Sequence, residues 1–316
     1  MKIVVLDAVT LGADLDLSPL SACGVCRIYG KTAPEEVAER VKDAEVIVIN
    51  KTKITAELLA MAPALRLVCI TATGYDNIDV AACRARGVAV CNVKGYSTDS
   101  VAQLTVAMVL SLVHHLPEYN ESVRNGTYTA SGVANLLTPV YHELCGKTWG
   151  IVGLGNIGKK VAAVAEALGC HVIAYKRKPE DGYRCVDLDT LLCTSDIVTL
   201  HTPLTDETRG MIGAGELAKM KRGAILVNVA RGAVTDEAAV ADAVRSGHLG
   251  GIGIDVYSKE PFPEDHPFYA IKALPNVCLT PHMAWSAKEA RERCIAEIVL
   301  NIRSFERGET RNRVDL

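Results

Sequence analysis

The segment TWGIVGLGNIGKKVAAVAEALG carries three glycines, Gly153, Gly155 and Gly158, in the spacing GxGxxG. An apolar strand pattern precedes the glycines, a helical pattern follows them, and a second apolar stretch, HVIAY, comes next. In this context the glycines predict a tight turn, a close approach of the backbone to a pyrophosphate, and close packing of the helix on the strand. The amides of Asn156 and Ile157 would open that helix, where the dipole favours a phosphate group. The segment therefore predicts the first unit of a dinucleotide-binding domain.

The same alternation of short apolar strands and helical patterns extends over the rest of the chain. The strand patterns before the glycine loop are KIVVLD, VCRIYG, EVIVIN, RLVCITA and VAVCNV, and those from Thr148 onwards are TWGIVGLG, HVIAYK, DIVTLHTP, GAILVNVA, GGIGIDV and NVCLTPH. Such alternation predicts parallel sheets that are covered by helices on both faces. The predicted fold class is therefore α/β, with two doubly wound parallel-sheet domains.

Three longer segments lie outside the alternating pattern. Residues 98–116 are largely apolar and predict a long helix, residues 117–132 are polar and are expected to be irregular, and residues 286–307 predict a final helix rich in charge. Within the second series, the helical patterns cover Ile157–Leu168, Ala214–Met220 and Glu237–Ser246.

Composition and charge limit the function classes that the chain can serve. The chain has 316 residues, 49% of them hydrophobic, and a net charge of −3, which suits two domains with large cores. No basic patch predicts a nucleic-acid partner, and no uninterrupted apolar run reaches the length of a membrane span. The N-terminal MKIVVLDAV is typical of a first β-strand, so a cytoplasmic protein is expected. The 11 cysteines, including Cys23 and Cys26, are expected to be reduced thiols, and no metal is predicted.

Polar side chains that could carry chemistry follow three strand patterns of the second series. Arg231 follows AILVNVA, Asp255 and Glu260 follow GGIGI, and His282 follows NVCLTP. Ligands of open α/β sheets bind at this edge of the sheet. Reduction of a 2-oxo acid needs a cation for the carboxylate, a proton donor for the developing alkoxide, and a partner that keeps the donor protonated. Arg231 suits the first role, His282 the second and Glu260 the third. His201, in LHTP, is expected to pack at a strand end beside the cofactor.

With these residues in place, the chain resembles the D-isomer-specific 2-hydroxyacid dehydrogenase family over essentially its whole length. The resemblance rests on the motifs TGYDNID (73–79), GYSTDSVAQ (95–103), GLGNIG (153–158), HTPLTDETRGMI (201–212), NVARG (228–232), DVYSKEP (255–261) and PHMAW (281–285). It implies an NAD(P)-dependent oxidoreductase that transfers a hydride to or from C2 of a small 2-oxo or 2-hydroxy acid. It also implies that Arg231, Glu260 and His282 are the catalytic residues.

The resemblance further implies the domain organisation and the remaining contacts. A Rossmann nucleotide domain, residues 98–286, would be inserted into a flavodoxin-like substrate domain formed by residues 1–97 and 287–316. The backbone around three residues would hold the substrate carboxylate together with Arg231: Thr73, Gly74 and Tyr75. Four residues would line the nicotinamide side of the cofactor site: Thr202, Val229, Ala230 and Asp255. Members of the family are usually dimers, so a homodimer is expected.

Two motifs resemble one branch of the family, the glycerate dehydrogenases and hydroxypyruvate reductases: GYSTDSVAQ and PHMAW. Trp285 would then cap a small polar pocket, and the substrates would be hydroxypyruvate and glyoxylate, reduced to D-glycerate and glycolate. Two alternatives stay open, a dehydrogenase for bulkier 2-oxo acids and a nucleotide-sensing scaffold similar to a corepressor. Oxidation of NADH or NADPH with a panel of 2-oxo acids would separate the three hypotheses.

The strand pattern after the glycine helix ends in a cluster of cations, YKRKP. Lys176 stands where members of the family that use NAD carry an acidic residue, which accepts hydrogen bonds from the adenosine ribose. A lysine cannot accept those bonds. Lys176 and Arg177 instead form a positive site that could hold the 2′-phosphate of NADP, so the sequence favours NADP over NAD. The alternative is that these side chains form a solvated turn and that NAD binds through its other contacts.

Overall fold

The computed structural model describes all residues of the chain, 1–316. It contains two compact units, of which the first comprises residues 1–97 and 285–316 and the second residues 98–284. The second boundary thus falls after Ala284, shortly before the position predicted after Ser286. The motif PHMAW is divided at this point, with its histidine in the second unit and its tryptophan in the first.

The chain forms 11 strands and 11 α-helices. The strands are β1 Lys2–Val5, β2 Val25–Ile28, β3 Val46–Ile49, β4 Leu67–Ile70, β5 Ala89–Cys91, β6 Thr148–Val152, β7 His171–Tyr175, β8 Ile197–Leu200, β9 Ile225–Asn228, β10 Gly251–Ile254 and β11 Val277–Leu279. The α-helices are α1 Val37–Val41, α2 Ala56–Met61, α3 Val80–Ala85, α4 Thr98–Val113, α5 Leu116–Arg124, α6 Thr127–Ser131, α7 Asn156–Ala167, α8 Leu188–Thr194, α9 Ala214–Lys219, α10 Glu237–Arg245 and α11 Lys288–Glu306. Short 3₁₀ helices cover Ala8–Leu11, Ser18–Cys23, Pro34–Glu36, Gly232–Val234 and Pro267–Ala270.

Each unit is built on one parallel sheet. The first sheet has five strands in the order β2-β1-β3-β4-β5, and the second has six strands in the order β11-β10-β9-β8-β6-β7. The first order is that of flavodoxin-like sheets, and the second reverses direction between β6 and β8 as doubly wound nucleotide-binding sheets do. All strand pairs are parallel. The predicted fold class is therefore confirmed.

Helices cover both faces of the first sheet. Ile295 and Ile298 of α11 pack with Val5 on one face, and Leu59 of α2 packs with Val4 on the other. Because both faces are covered, the inner strands β3 and β4 are buried at every position, as VIVI and LVCI. Such continuous apolar runs are what a parallel sheet requires of its central strands.

The second sheet is covered in the same way. Leu217 of α9 and Val240 of α10 belong to one apolar cluster with Leu226 and Ile252 of the sheet. On the other face, α4 packs against β9, β10, β11 and α7. The carboxyl ends of β8, β9 and β10 therefore lie side by side between two helical layers, and this edge positions the site described below.

The long predicted helix is shorter than expected. It ends at Val113, and His115 with φ of 50° separates it from α5. No single helix is long and apolar enough to cross a membrane, and the α4–α5 pair, which passes that test only in combination, is bent by 62°.

The prediction that residues 117–132 are irregular is wrong, because most of them belong to α5 and α6. The start of α5 has Pro117 and Glu118 in its first turn, and its end has Arg124 in its last turn. Proline costs little where the backbone N–H has no helical partner, and the two charges complement the helix dipole. None of the residues of α5 is buried, and its apolar residues are few and are surrounded by polar ones, so the segment gives only a weak sequence signal of an amphipathic helix.

Candidate active site

The glycine loop joins β6 to α7 in the second unit. Gly153 has φ of +97°, and a Cβ at this residue would lie 2.8 Å from the backbone carbon of His201. A Cβ at Gly158 would lie 2.2 Å from the carbonyl oxygen of Gly153, so the helix can approach the loop only because residue 158 is glycine. A Cβ at Gly155 would meet nothing within 4 Å. The loop thus leaves space directly before the first turn of α7, and this arrangement fits the pyrophosphate of a dinucleotide.

Four residues expected beside the nicotinamide lie at the carboxyl edge of the second sheet. Thr202 follows β8, Val229 and Ala230 follow β9, and Asp255 follows β10. Val229 and Ala230 are largely buried, and Asp255 is completely buried. Because these strands are adjacent and parallel, the four residues lie at one edge of the sheet.

His282 and Glu260 form a close pair at this edge. The Nδ1 atom of His282 lies 2.8 Å from Oε1 and 2.7 Å from Oε2 of Glu260. The side chains retain 22% and 27% of their exposure, so a small molecule can reach them. Glu260 also accepts a hydrogen bond of 3.1 Å from the backbone N–H of Tyr257. A carboxylate in contact with one imidazole nitrogen fixes the orientation of the ring.

Asp255 holds the segment that carries His282. Its carboxylate accepts hydrogen bonds from the backbone N–H groups of Met283 at 2.8 Å and Ala284 at 2.9 Å, and from the hydroxyl of Thr280 at 2.6 Å. Burial raises the pKa of Asp255. The backbone of His282 itself has φ of 55°, a left-handed conformation that is rare for residues other than glycine. Asp255 therefore has a structural role that the sequence did not reveal, because it stabilises the turn that contains His282.

Arg231 lies at the end of β9, directly before the 3₁₀ helix Gly232–Val234. Asn228 fixes the turn, because its side chain donates to the carbonyl oxygen of Arg231 at 2.9 Å and accepts from the N–H of Ala230 at 3.0 Å. The Nη1 atom of Arg231 donates to the carbonyl oxygen of Ala230 at 2.9 Å. The structure thus places Arg231, Glu260 and His282 in the same unit, on segments that follow β9, β10 and β11.

A close backbone contact joins the arginine segment to the glutamate segment. A Cβ at Gly232 would lie 2.1 Å from the carbonyl carbon of Tyr257 and 2.2 Å from the nitrogen of Ser258. Only glycine fits here, so the Tyr257–Ser258 peptide rests directly on the residue after Arg231. Sequence reasoning overlooked Gly232, although its place at the end of NVARG was a signal of close packing.

The residues expected to hold the substrate carboxylate lie in the first unit. Thr73 is anchored on both sides, since its hydroxyl donates to the carbonyl oxygen of Val93 at 2.7 Å and its own carbonyl oxygen accepts from Asn92 at 2.7 Å. The N–H groups of Gly74 and Tyr75 donate to no acceptor within the protein. Adjacent backbone N–H groups of this kind can bind an anion.

Trp285 also belongs to the first unit. Its ring packs edge to face with Tyr96, at a centroid distance of 6.4 Å. The indole is half-buried and packs against the apolar cluster of the first unit.

The cation cluster after β7 is engaged in ion pairs. Lys176 contacts Glu180, and Lys159 of α7 contacts the other oxygen of the same carboxylate. The two lysines hold the pKa of Glu180 below its usual range, with Lys159 making the larger contribution. Arg177 is 80% exposed and lies 3.1 Å from Glu207. Neither Lys159 nor Glu180 was predicted, because their approach to Lys176 depends on how α7 and the loop after β7 pack together.

His201 is part of the framework beneath the glycine loop. Its Nε2 lies 3.0 Å from the hydroxyl of Thr199, and the same hydroxyl accepts a hydrogen bond of 3.1 Å from the indole of Trp149. Its Nδ1 is buried without a partner, and burial lowers the pKa of the ring to about 3. His201 is accordingly neutral at physiological pH, in keeping with the packing role expected for it.

A dinucleotide-binding sheet whose carboxyl edge carries an arginine and a paired histidine and glutamate defines a class of protein, the nicotinamide-dependent dehydrogenases. The family model for the NAD binding domain of the D-isomer specific 2-hydroxyacid dehydrogenases matches residues 106–284. The chain belongs to the D-isomer-specific 2-hydroxyacid dehydrogenase family. This confirms the family resemblance inferred from the motifs.

Individual relatives and solved structures agree with this assignment. The chain is 42% identical to a glycerate dehydrogenase from Methylorubrum extorquens over 282 residues, which cover 89% of each chain. It is 38% identical to a hydroxypyruvate reductase from Blautia hydrogenotrophica over 324 aligned positions, which cover 100% of both chains. Among solved structures, a D-lactate dehydrogenase from Aquifex aeolicus, complexed with NAD and lactic acid, has a TM-score of 0.89 and 29% identity, with 100% of this chain and 99% of that chain covered. The protein is thus an oxidoreductase that uses a nicotinamide cofactor and acts on small 2-hydroxy or 2-oxo acids.

Proposed function

We propose that the protein reduces hydroxypyruvate and glyoxylate, with D-glycerate and glycolate as the products. The observation that carries the chemistry is the contact of both Glu260 oxygens with His282 Nδ1, at 2.8 and 2.7 Å. The choice of substrates is supported by the motifs GYSTDSVAQ and PHMAW and by the names of the glycerate dehydrogenase and hydroxypyruvate reductase relatives.

Each residue of the site has a distinct role in this proposal. The bound nicotinamide supplies the hydride that is added to C2. His282 donates a proton from Nε2 to the carbonyl oxygen, because Glu260 engages Nδ1 and favours the imidazolium. Arg231 binds the substrate carboxylate with its planar fork and stabilises the charge that develops on the carbonyl oxygen. The amides of Gly74 and Tyr75 also bind the carboxylate, and Trp285 limits the size of the group on C2.

The experiment that tests the proposal is a panel of 2-oxo acids assayed with NADH and with NADPH. We expect the highest kcat/KM for hydroxypyruvate and glyoxylate, and lower values for 2-oxo acids with branched side chains. Preference for a branched acid would favour the alternative of a dehydrogenase for bulkier substrates. A chain that oxidises neither cofactor with any acid would have to be reconsidered as a nucleotide-sensing scaffold.

We also propose that NADP is the preferred cofactor. Three cations lie near the end of β7, namely Lys159, Lys176 and Arg177, and YKRKP contains no carboxylate that could accept hydrogen bonds from the ribose hydroxyls. Glu180 now bridges the two lysines and would compete with a 2′-phosphate for them. Binding of NADP therefore requires that the phosphate displace Glu180, which sits on an exposed loop and can turn towards solvent.

Two sets of variants are expected to shift the cofactor preference in opposite directions. Lys176→Asp with Arg177→Ala should lower kcat/KM for NADPH relative to NADH by roughly 10- to 100-fold, because charge-assisted hydrogen bonds to a phosphate contribute about 1.5–3 kcal/mol. Glu180→Gln should raise kcat/KM for NADPH, because the competing carboxylate is lost while NADH gains nothing. Glu166→Gln, at the exposed far end of α7, is the control for net charge. A wild-type protein that prefers NADH would show that the cations do not select the cofactor.

We further propose that two copies of the chain form a dimer through the segment of residues 133–141. Leu137 and Val140 in this segment are 73% and 70% exposed, and large apolar side chains concentrated on a surface mark interaction sites. Most soluble oligomers are formed by copies of one chain, and a two-fold dimer uses the same patch on both subunits. The wild-type protein should therefore elute as a dimer in size-exclusion chromatography with light scattering. Leu137→Asp with Val140→Asp should yield monomers, whereas Val9→Asp, at a residue 65% exposed in the first unit, should not.

A further inference from the structure

A buried acid–imidazole pair lies beside the loop that carries Glu260. The side chains of Glu237 and His266 are only 9% and 6% exposed, and Oε2 of Glu237 lies 3.0 Å from Nε2 of His266. Neither residue belongs to the proposed catalytic set. Burying a carboxylate is costly unless hydrogen bonds compensate for the lost water, so the partners of this carboxylate indicate what it does.

The carboxylate of Glu237 binds one residue of the loop twice. Its Oε1 accepts a hydrogen bond of 2.8 Å from the backbone N–H of Ser258, and its Oε2 accepts a hydrogen bond from the Ser258 hydroxyl. Glu237 is also the first residue of α10, where the helix dipole favours a negative charge. The backbone at Ser258 is thus attached to a fixed point on a helix.

His266 is oriented so that it can only donate to this carboxylate. Its Nδ1 accepts a hydrogen bond of 3.2 Å from the backbone N–H of Phe268, so the ring hydrogen is on Nε2, the atom that faces Glu237. The ring packs against Phe262 and Phe268, with centroid distances of 5.0 and 5.2 Å. His266 therefore supplies a rigid third hydrogen bond to Glu237.

The attachment at Ser258 reaches Glu260 through the backbone of Tyr257. Tyr257, directly before Ser258, donates its N–H to Oε1 of Glu260 at 3.1 Å. The other side of the Tyr257–Ser258 peptide rests on Gly232, next to Arg231. The peptide is therefore held between the arginine segment and Glu237, and the Tyr257 backbone links it to Oε1 of Glu260.

We propose that Glu237 and His266 are positioning residues, which clamp the Tyr257–Ser258 peptide so that both oxygens of Glu260 face Nδ1 of His282. The inference rests on the roles proposed above for Glu260 and His282. The clamp acts through the geometry of the loop. The other ionisable groups around the Tyr257 hydroxyl are the carboxylates of Asp255 and Glu260 and the thiol of Cys278. Without the clamp, Glu260 would favour the imidazolium less strongly. The alkaline limit of reduction would then move to lower pH.

The test compares pH profiles of kcat/KM for reduction of hydroxypyruvate by the full-length protein. Glu237→Gln keeps the size of the side chain and removes its charge, so it should shift the alkaline limit of activity to lower pH, in the same direction as Glu260→Gln. The loss of kcat should approach, at most, the roughly 10²-fold that a misplacement of about 1 Å can cause. The dissociation constant of the cofactor should not change. The double variant Glu237→Gln with Glu260→Gln should have the profile of Glu260→Gln alone, because the clamp acts through Glu260.

The variant Asp236→Ala is a matched control, because it lowers the stability of the protein without changing a contact of the loop that carries Glu260. The carboxylate of Asp236 caps α10 by accepting from the N–H groups of Ala238 and Ala239, each at 3.1 Å. Asp236→Ala should lower the melting temperature, as the loss of a helix cap does, and leave the pH profile unchanged. Ser258→Ala, which loses only the hydroxyl bond, gives a smaller shift and serves if Glu237→Gln does not fold.

The outcomes separate this inference from the proposed function. If Glu260→Gln moves the profile while Glu237→Gln and Ser258→Ala lower only the melting temperature, the clamp is structural and the inference is overturned. If Glu260→Gln itself leaves the pH profile unchanged, the role of Glu260 in the proposed function is wrong. The inference about the clamp depends on that role and is then wrong as well. A common shift in Glu237→Gln and Glu260→Gln, absent from Asp236→Ala, supports the inference.

Discussion

His282→Gln is expected to lower kcat by about 10²–10⁴-fold, the range typical of the loss of a general acid or base. Glutamine retains a polar side chain of similar reach, but it cannot carry the proton that the developing alkoxide needs. The turn that holds residue 282 should persist, because Asp255 binds the N–H groups of Met283 and Ala284 rather than the imidazole. The measurement is steady-state turnover of hydroxypyruvate with saturating NADPH or NADH.

Cofactor binding and stability distinguish a chemical defect from a folding defect. The dissociation constant of NADPH and the melting temperature of His282→Gln should match those of the wild type. His171→Gln, an exposed histidine at the start of β7 in the same unit, is the matched control and should retain full turnover. Near-normal turnover in His282→Gln would remove His282 from the mechanism.

The fold could be predicted from the sequence because its signals are local and repeated. Strands such as VIVI and ILVN are buried at every position, and a parallel sheet covered on both faces leaves no other pattern for its centre. The glycine spacing was equally informative, because Gly153 and Gly158 are required by direct backbone contacts. Where those signals were missing, the prediction failed. The helix α5 contains no buried residue, so its polar sequence looked irregular.

The candidate site could be predicted only as separate residues. Arg231, Glu260 and His282 each stand at a strand end that the alternation locates, and reaction chemistry selects their types. Their mutual geometry depends on bonds between segments far apart in the chain, such as Asp255 to Ala284 or Glu237 to Ser258. No local pattern encodes those contacts. The ion pairs of Glu180 illustrate the same limit, because the sequence showed three adjacent cations but not the carboxylate that two lysines share.

Arg231→Ala is expected to impair both binding and rate. The guanidinium meets the substrate carboxylate in the ground state, and a charge-assisted hydrogen bond of this kind contributes about 1.5–3 kcal/mol, so KM should rise by roughly tenfold or more. It also stabilises the charge on the carbonyl oxygen as the hydride arrives, and loss of one such donor typically lowers kcat by about 10²–10³-fold. The measurement is kcat and KM for hydroxypyruvate at saturating cofactor.

Arg231→Lys separates the charge of the side chain from its shape. Lysine retains the cation but lacks the planar fork, so it should recover much of the KM defect and little of the kcat defect. Arg222→Ala, at an exposed arginine of the same unit, should change neither constant. The backbone turn should survive in all three variants, because Asn228 binds the main chain at residues 230 and 231 rather than the guanidinium. A higher KM with an unchanged kcat in Arg231→Ala would mean that the guanidinium binds the ground state and the transition state equally, and the developing oxyanion would then need another donor.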